Sequence, residues 1–469
     1  MASRAADVVE APHDRQFLGH PRGLGFLSFS EAWERFSYYG MQALLVLYAS
    51  KQLFRPGHIE HIWGFPAFSR LLQSIYGTLD AQAMAGTISG LYSGFVYLTP
   101  IFGGIVADRL IGRTRAVTIG AITMAVGHFL MAFDASFLLA ILCLLVGVGL
   151  FKGNIASQVG DLYAPDDLRR ADAFQIYMLG IQIAVIVSPI VCGWLGEKIA
   201  WHYGFGAAGV GMLIGLIIYL SGRKWLPAEP APRVRGGIVE PRPKLAPGEG
   251  KRIAVLLALI PVLALLSVGN QQMFVAYELW GDQNFQLTFW GWTMPVTFLQ
   301  SLDAFVSTFT MIIVVAFWRW YARRRPEPDE VTKVAIGGAI AAFAPFALAL
   351  ASAHVMNTGE RASLAYGFAF HIINDFGFAM VFPVGIALYS RAAPKAVGGT
   401  MVAVYYLNLF LCGLIVARLA RMLGHVSGFE FWTIHSALIG GGTIILLVFR
   451  GFAGRLLAPT HDPEAVVRR

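Results

Sequence analysis

Twelve runs of about 20 mostly apolar residues recur along this chain, and that length fixes what each can become. A helix of about 20 residues spans the hydrocarbon layer of a bilayer. The runs begin near residues 24, 82, 116, 136, 172, 202, 253, 292, 332, 364, 398 and 430. Ten-residue alternating segments, the mark of a membrane barrel, are not the pattern here, so the spans are helical. With 56% hydrophobic and 14% charged residues, the 469-residue chain has too little polar surface for a water-soluble globule. The expected fold class is an all-α membrane protein.

The spans divide six and six. Residues 223–251 lie between the groups, and their prolines, glycines and charges exclude a further span and read as a linker. Two six-helix bundles, residues 24–222 and 252–456, are thus expected to face each other across a midplane cavity, with tails at 1–23 and 457–469. Arginine and lysine mark every second loop. Arg109, Arg113 and Arg115 follow span 2, and Arg169 and Arg170 follow span 4. Arg319, Arg323, Arg324 and Arg325 follow span 8, and Arg391 and Lys395 follow span 10. This bias places both termini in the cytoplasm and accounts for the net charge of +8 without a nucleic-acid partner. Arg418 and Arg421, at the opposite end of span 11, are the exception, read as snorkelling side chains.

No cleavable signal peptide is expected before span 1. Cys143, Cys192 and Cys412 lie within spans at no metal-binding spacing and read as small apolar residues. The sequence carries no nucleophile with base and orienter, no phosphate loop and no metal cluster, so an enzyme is not expected, nor a cofactor.

The segment "EAWERFSYYG", Glu31 to Gly40, breaks the apolar rule. At about 100° per residue, Glu31, Glu34, Arg35, Tyr38 and Gln42 share one helical stripe, with Tyr39 at its border. Charges at membrane depth turn to a bundle interior or a wet cavity and find partners. Glu31 and Arg35 are four apart and can pair on their own helix, whereas Glu34 needs a partner from another span. Lys152 in span 4 is the candidate, and the two acids and two bases then sum to zero.

These residues carry a resemblance. "EAWERFSYYGM" resembles the ExxERFxYYGM signature of the proton-coupled oligopeptide transporter family, a branch of the major facilitator superfamily. "LYSGFVYLTPIFGGIVADRLIGRTRAV", "GLFKGNIASQVGDLY", "IYMLGIQIAVIVSPIVCGWLGE", "FLQSLDAF" and "FPVGIALYSRAAPKAVGGTMVAVYYL" are similar to family segments in the same order, so the likeness covers nearly the whole chain. It implies the twelve-helix fold of that superfamily and alternating access at the midplane, with the proton as coupling ion. It further implies that Glu31, Glu34, Arg35 and Lys152 couple to the proton. Arg35 and Lys152 would also hold a substrate carboxylate, with Tyr38, Tyr39 and Tyr97 as contacts. Gly104, Asp108, Arg109, Gly112 and Arg113 would form a gate: a charge latch on a neighbouring helix end, with the glycines allowing close approach and a tight turn.

The chain departs from the family where a peptide's amino end would be held. Gln271 stands at the span 7 acid, Phe378 at the span 10 acid and Phe382 at the nearby serine. Gln182 replaces an asparagine in span 5, Gly153 a proline after the lysine, and the extra helix pair of bacterial members is absent. Acids appear nearby: Asp303 in span 8 and Asp375 in span 10, with His371 four residues before Asp375 and expected to pair with it. His128 and His354 stand apart and read as structural. Gln182, Gln271, Asp303, Asp375 and Phe378 therefore complete the candidate substrate site. A carboxylate-end site with a phenylalanine where the ammonium partner stood favours peptide-like compounds whose amine is blocked, distant or missing. Three expectations follow: a proton-coupled peptide or peptide-like importer in the plasma membrane, monomeric; a facilitator or exporter of another organic anion; and a non-transporting membrane sensor.

Overall fold

The structure is a computed structural model that describes residues 16–164, 167–227, 245, 248–394 and 396–457. Most of the tails and of the linker, and Lys395, lie outside the described residues.

The chain is helical almost throughout. In the first half α1 (Arg22–Tyr48) is span 1, and α2 (Phe65–Tyr76) is a short helix before span 2. Spans 2 to 6 are α3 (Ala81–Val106), α4 (Arg113–Leu130), α5 (Phe137–Asp161), α6 (Arg169–Trp194) and α7 (Trp201–Ser221). In the second half span 7 is broken into α8 (Glu249–Leu266), α9 (Val268–Gln272) and α10 (Ala276–Asn284). Span 8 is α11 (Phe298–Ala322), and span 9 is α12 (Glu330–Ala341) with α13 (Ala344–Thr358). Span 10 is α14 (Leu364–Ala392), span 11 is α15 (Gly398–Tyr405) with α16 (Leu407–Ala420), and span 12 is α17 (Gly428–Leu457).

Among the described residues nine helical segments are long and apolar enough to cross a membrane by length and composition. Spans 1, 3 and 7 lie outside that set. Glu31, Glu34 and Arg35 interrupt α1, Arg113 and Arg115 open the short α4, and span 7 is discontinuous. Its break at Met273–Val275 leaves irregular backbone at membrane depth, which is tolerated only inside protein or against a cavity. Together the helices form the major facilitator fold of two six-helix bundles.

Two expected features shift. Span 8 does not begin at 292: Thr288–Phe289 and Trp292–Thr293 form a small antiparallel hairpin, and the helix starts at Phe298. Trp290 (φ 49°) and Gly291 (φ 80°) make its two-residue turn, where positive φ at both positions matches the strand twist. Nor do Arg418 and Arg421 snorkel. Both donate to the carbonyl of Tyr76, at 2.8 and 2.9 Å, and so cap the C-terminal end of α2.

The halves meet along two seams. In the first, Gly86, Gly90 and Gly94 put a bare stripe of α3 against α16, where a Cβ at Gly90 would lie 2.7 Å from the Ala417 nitrogen. In the second, α6 meets α11, where Gln182 Nε2 donates to Thr308 Oγ1 at 3.1 Å. At the end opposite the chain termini, Lys51 pairs with Asp282 at 2.6 Å. There Glu197 also accepts from the Val296 and Thr297 amides, both at 3.0 Å, and from the Thr297 hydroxyl at 2.7 Å. These contacts stop at the level of Tyr97 and Gln182. Below it, among the described residues, no hydrogen bond or ion pair joins the halves. Among the described residues, the polar contacts between the halves therefore lie at the far end and not at the end that bears the termini.

Candidate functional site

The stripe of α1 is buried as its charges require: Glu31, Glu34, Arg35, Tyr38 and Gln42 all lie inside. Arg35 Nε donates to Glu31 Oε1 at 2.9 Å. Glu34 Oε2 is 2.6 Å from the same nitrogen, but a single N–H serves one acceptor, and the Glu34 carboxylate has no aligned hydrogen bond. Arg35 Nη2 is likewise buried without a hydrogen-bond partner. Tyr177 sets its hydroxyl beside Glu31, and Gln42 Nε2 donates to Ser93 Oγ at 3.0 Å, tying α1 to α3.

Lys152 does not take the place expected for it. Its ammonium lies 4.6 Å from the centre of the Tyr97 ring, and among the described residues no carboxylate comes within 4.0 Å. Glu34 meets its own neighbour Arg35 instead. The reason is geometric: the guanidinium folds back along its helix between both acids, leaving the lysine to the aromatic face.

The tyrosines divide by position. Tyr38 is buried, with the Arg35 guanidinium 5.5 Å over its ring and Tyr39 edge-on at 4.9 Å. Tyr39 and Tyr97 are partly exposed and reach across to the other half: Tyr39 lies 6.2 Å from Phe274, and Tyr97 stacks on Tyr406 at 6.5 Å, beside Gln271. Opposite them Phe378 stacks on Phe382 at 5.3 Å, and Phe382 meets Tyr406 at 6.0 Å. One wall thus carries cations and tyrosines, the other aromatic rings.

The acids of the second half are arranged otherwise than span 10 alone predicts. His371 does not pair with Asp375. Its Nδ1 lies 2.8 Å from Asp303 Oδ1 on α11, and its Nε2 lies 2.9 Å from the Tyr277 hydroxyl on α10. Both ring nitrogens are thereby engaged by other helices, which outweighs the four-residue spacing on α14. Asp375 Oδ1 accepts from Asn374 at 3.2 Å, and its Oδ2 is buried without a partner.

At the proposed gate Arg113 pairs with Asp161 at the end of α5 and approaches Asp108 at 3.5 Å, so the loop is tied to span 4 within its own half. Gly112 (φ 81°) makes the turn. Gly104 does not make the close approach: a Cβ there would meet nothing within 4 Å, whereas one at Gly103 would lie 1.9 Å from the Gly149 carbonyl oxygen. Arg109 is exposed and takes no part in an ion pair among the described residues. Gly153 is exposed, and a side chain there would meet nothing within 4 Å.

Sequence reasoning missed Tyr177, Tyr277, Phe274 and Tyr406, single aromatics whose role only helix packing reveals. It also missed Glu278, which is fully buried, accepts from Gln300 at 2.6 Å and leaves Oε2 unpaired. Glu278 had a readable signal: it is an acid inside span 7, the same warning that singled out Asp303.

The sequence model of the POT family matches residues 114–234. The chain is 28% identical to the uncharacterized transporter YclF of Bacillus subtilis (strain 168), over 94% of this chain and 96% of that protein. It is 26% identical to a di-/tripeptide transporter of Lactococcus lactis subsp. cremoris, over 93% of this chain and 96% of that one. A crystal structure of a peptide transporter POT in complex with sulfate is similar at a TM-score of 0.80 and 25% identity, covering 94% of this chain and 97% of that one. With a similar fold over almost its full length and the POT family's sequence model matching residues 114–234, this chain resembles the membrane transporters of the POT family.

Proposed function

We propose that the chain imports peptides or peptide-like carboxylates together with protons by alternating access. The observation that carries this reading is the spare bonding capacity of two cations at the centre: Arg35 pairs through Nε but its Nη2 has no hydrogen-bond partner, and Lys152 has no carboxylate within 4.0 Å. Desolvated cations of this kind favour an anion, and a guanidinium edge beside an ammonium suits a carboxylate. Two acids crowd one guanidinium whose Nε–H serves only Glu31, so Glu34 or Glu31 is the group that exchanges its proton when a substrate carboxylate draws Arg35 away. Tyr39, Tyr97 and Gln271 flank the carboxylate, while Gln182 and Tyr38 hold the surrounding helices.

The opposite wall, Phe378 with Phe382, offers rings where an ammonium partner would stand, so the preferred substrate has a blocked, distant or absent amine. Asp303 is committed to His371, which leaves Asp375 as the acid able to receive a simple dipeptide's amino group. That the relative in Lactococcus lactis is a di-/tripeptide transporter supports the peptide class.

Both termini lie in the cytoplasm, on the positive-inside bias, so the end sealed by polar contacts faces out, and we read the opposite end, where none joins the halves among the described residues, as parted and open inward. The bundles are residues 24–222 and 252–456, joined by the linker 223–251 and working as a monomer in the plasma membrane, the inner membrane in a bacterium. Gly112 and the Asp108, Arg113 and Asp161 contacts hold the cytoplasmic ends of spans 2 to 4 as one body while the bundles rock.

The test is uptake into proteoliposomes under an inside-negative, outside-acid gradient, with a dipeptide pool set against amine-blocked dipeptides. Gradient-dependent accumulation of the blocked compounds supports the reading. Movement of a carboxylate that ignores the gradient would point to a facilitator, and binding without flux to a sensor.

A further inference from the structure

The second half contains a buried network that the site above leaves unused. Asp303, His371 and Tyr277 form a continuous chain across α11, α14 and α10, at 2.8 and 2.9 Å, with His371 wholly buried and Asp303 nearly so. The helix starts at Phe298 and Leu364 lie at the sealed end, so the pair sits about 8 to 10 Å below it at 1.5 Å per residue. Asp375 follows one turn deeper on α14, its Oδ2 buried and unpartnered, and Phe378 comes next on the same face. The groups around the pair are Asp375 from α14, Tyr277 and Glu278 from α10, and Tyr39 from α1. The other helices packed against α11 and α14 bring no ionic partner, and among the described residues no lysine or arginine comes within 4.0 Å of Asp303 or Asp375.

Charge bookkeeping then constrains the protons. The first half balances two acids against two bases, but here two aspartates and Glu278 have His371 and amides as their hydrogen-bond partners, and among the described residues none forms an ion pair with a lysine or arginine. A carboxylate without a cation in such a place is costly, and a proton is the cheapest neutraliser. An Asp–His pair is neutral with one proton beyond ionised Asp and neutral His, wherever between the two atoms that proton rests.

We infer that the Asp303–His371 pair is a second proton-carrying site of the transport cycle, replacing the acid that Gln271 has displaced, with Asp375 as the next acceptor toward the cavity. In the step, a hydronium ion at the opened far end gives one proton to the pair and becomes water. The proton passes to the unpartnered Asp375 Oδ2 and leaves to water at the parted end, with no other bond made or broken. Because the pair joins α11 to α14, its proton also decides whether these helices close on a neutral contact or on a buried charge.

This inference rests on the proton-coupled reading but is tested apart from it. Purified full-length protein, weakly buffered with an indicator dye, is stepped from about pH 8 to about pH 5 and the protons taken up are counted. Wild type is expected to bind about one proton per chain more than the Asp303→Asn/His371→Gln double variant, whose neutral amides can still hydrogen-bond. Equal uptake overturns the inference, whatever the transport result. In proteoliposomes with N-acetyl-dialanine as probe, Asp303→Asn is expected to keep counterflow but lose gradient-driven accumulation at least tenfold, and Asp303→Glu to recover it. Undiminished accumulation in Asp303→Asn likewise overturns it. Should wild type move no peptide at all, the transport reading fails, and the proton count alone decides the site.

Discussion

The two halves of the molecule handle buried charge in opposite ways. In the first, Glu31 and Glu34 face Arg35, with Lys152 nearby, and the cations retain bonding capacity. In the second, Asp303, Asp375 and Glu278 are buried with His371 and amides as their partners. A site with spare cations recognises anions; a site of acids without cations stores protons. On the proposed reading, the difference separates substrate recognition from part of the proton binding, where a single mixed cluster would have to perform both.

The comparison breaks most sharply at Arg35. Arg35→Ala leaves two buried acids facing each other, and removing one partner of a buried ion pair costs about 3–5 kcal/mol. Loss of both uptake and counterflow is expected, with a lower melting temperature; retained counterflow would show that the guanidinium does not bind substrate. Glu34→Gln is next: gradient-driven uptake is abolished while some counterflow survives, because the cations remain. Unchanged uptake across pH would move the coupling acid elsewhere.

Lys152→Gln tests the anion site with less damage, since the lysine has no ionic partner to orphan. The KM for N-acetyl-dialanine should rise about tenfold, in keeping with a lost charge-assisted contact of roughly 1.5 kcal/mol, while its carboxamide analogue should be unaffected. Phe378→Glu sharpens the other side by returning an acid to the ring wall. Use of simple dipeptides should improve severalfold, and no gain would mean that the second half has changed beyond that position.

The smallest effect belongs to the seal between the halves. Glu197→Gln puts an NH2 donor in place of one of the two accepting oxygens at the start of α11, so part of the three contacts is lost and the rest is kept. A few-fold rise in labelling of a cysteine placed at Gln300 by a membrane-impermeant reagent is expected, and unchanged labelling would mean that Lys51–Asp282 and the α3–α16 seam close that end unaided.

How much of this was legible in the sequence follows from what each signal measures. Apolar length is a one-dimensional property, and ten of the span starts fall within three residues of a helix start, α1 at Arg22 and α14 at Leu364 among them. Spans 7 and 8 fared less well, because the runs near 253 and 292 hide a broken helix and a hairpin. Within one helix, periodicity found the stripe from Glu31 to Gln42. It failed where partners come from elsewhere: four-residue spacing suggested His371 with Asp375, but Asp303, 68 positions away, holds the ring. Lys152 is an intermediate case: charge counting set it near Glu34, whose field it feels, but missed that it stays beyond 4.0 Å and rests on the Tyr97 ring. Gly104 was one position off, because the close contact with α5 falls on Gly103.

The central claim is that a carboxylate moves with a proton through a site whose cations belong to the first half. The most direct measurement places a pH dye inside proteoliposomes containing the full-length protein and adds N-acetyl-dialanine or its C-terminal amide outside. The account predicts that the lumen acidifies with the carboxylate and not with the amide, and that Glu34→Gln abolishes the signal. No acidification with the carboxylate, or equal acidification with both compounds, would contradict it.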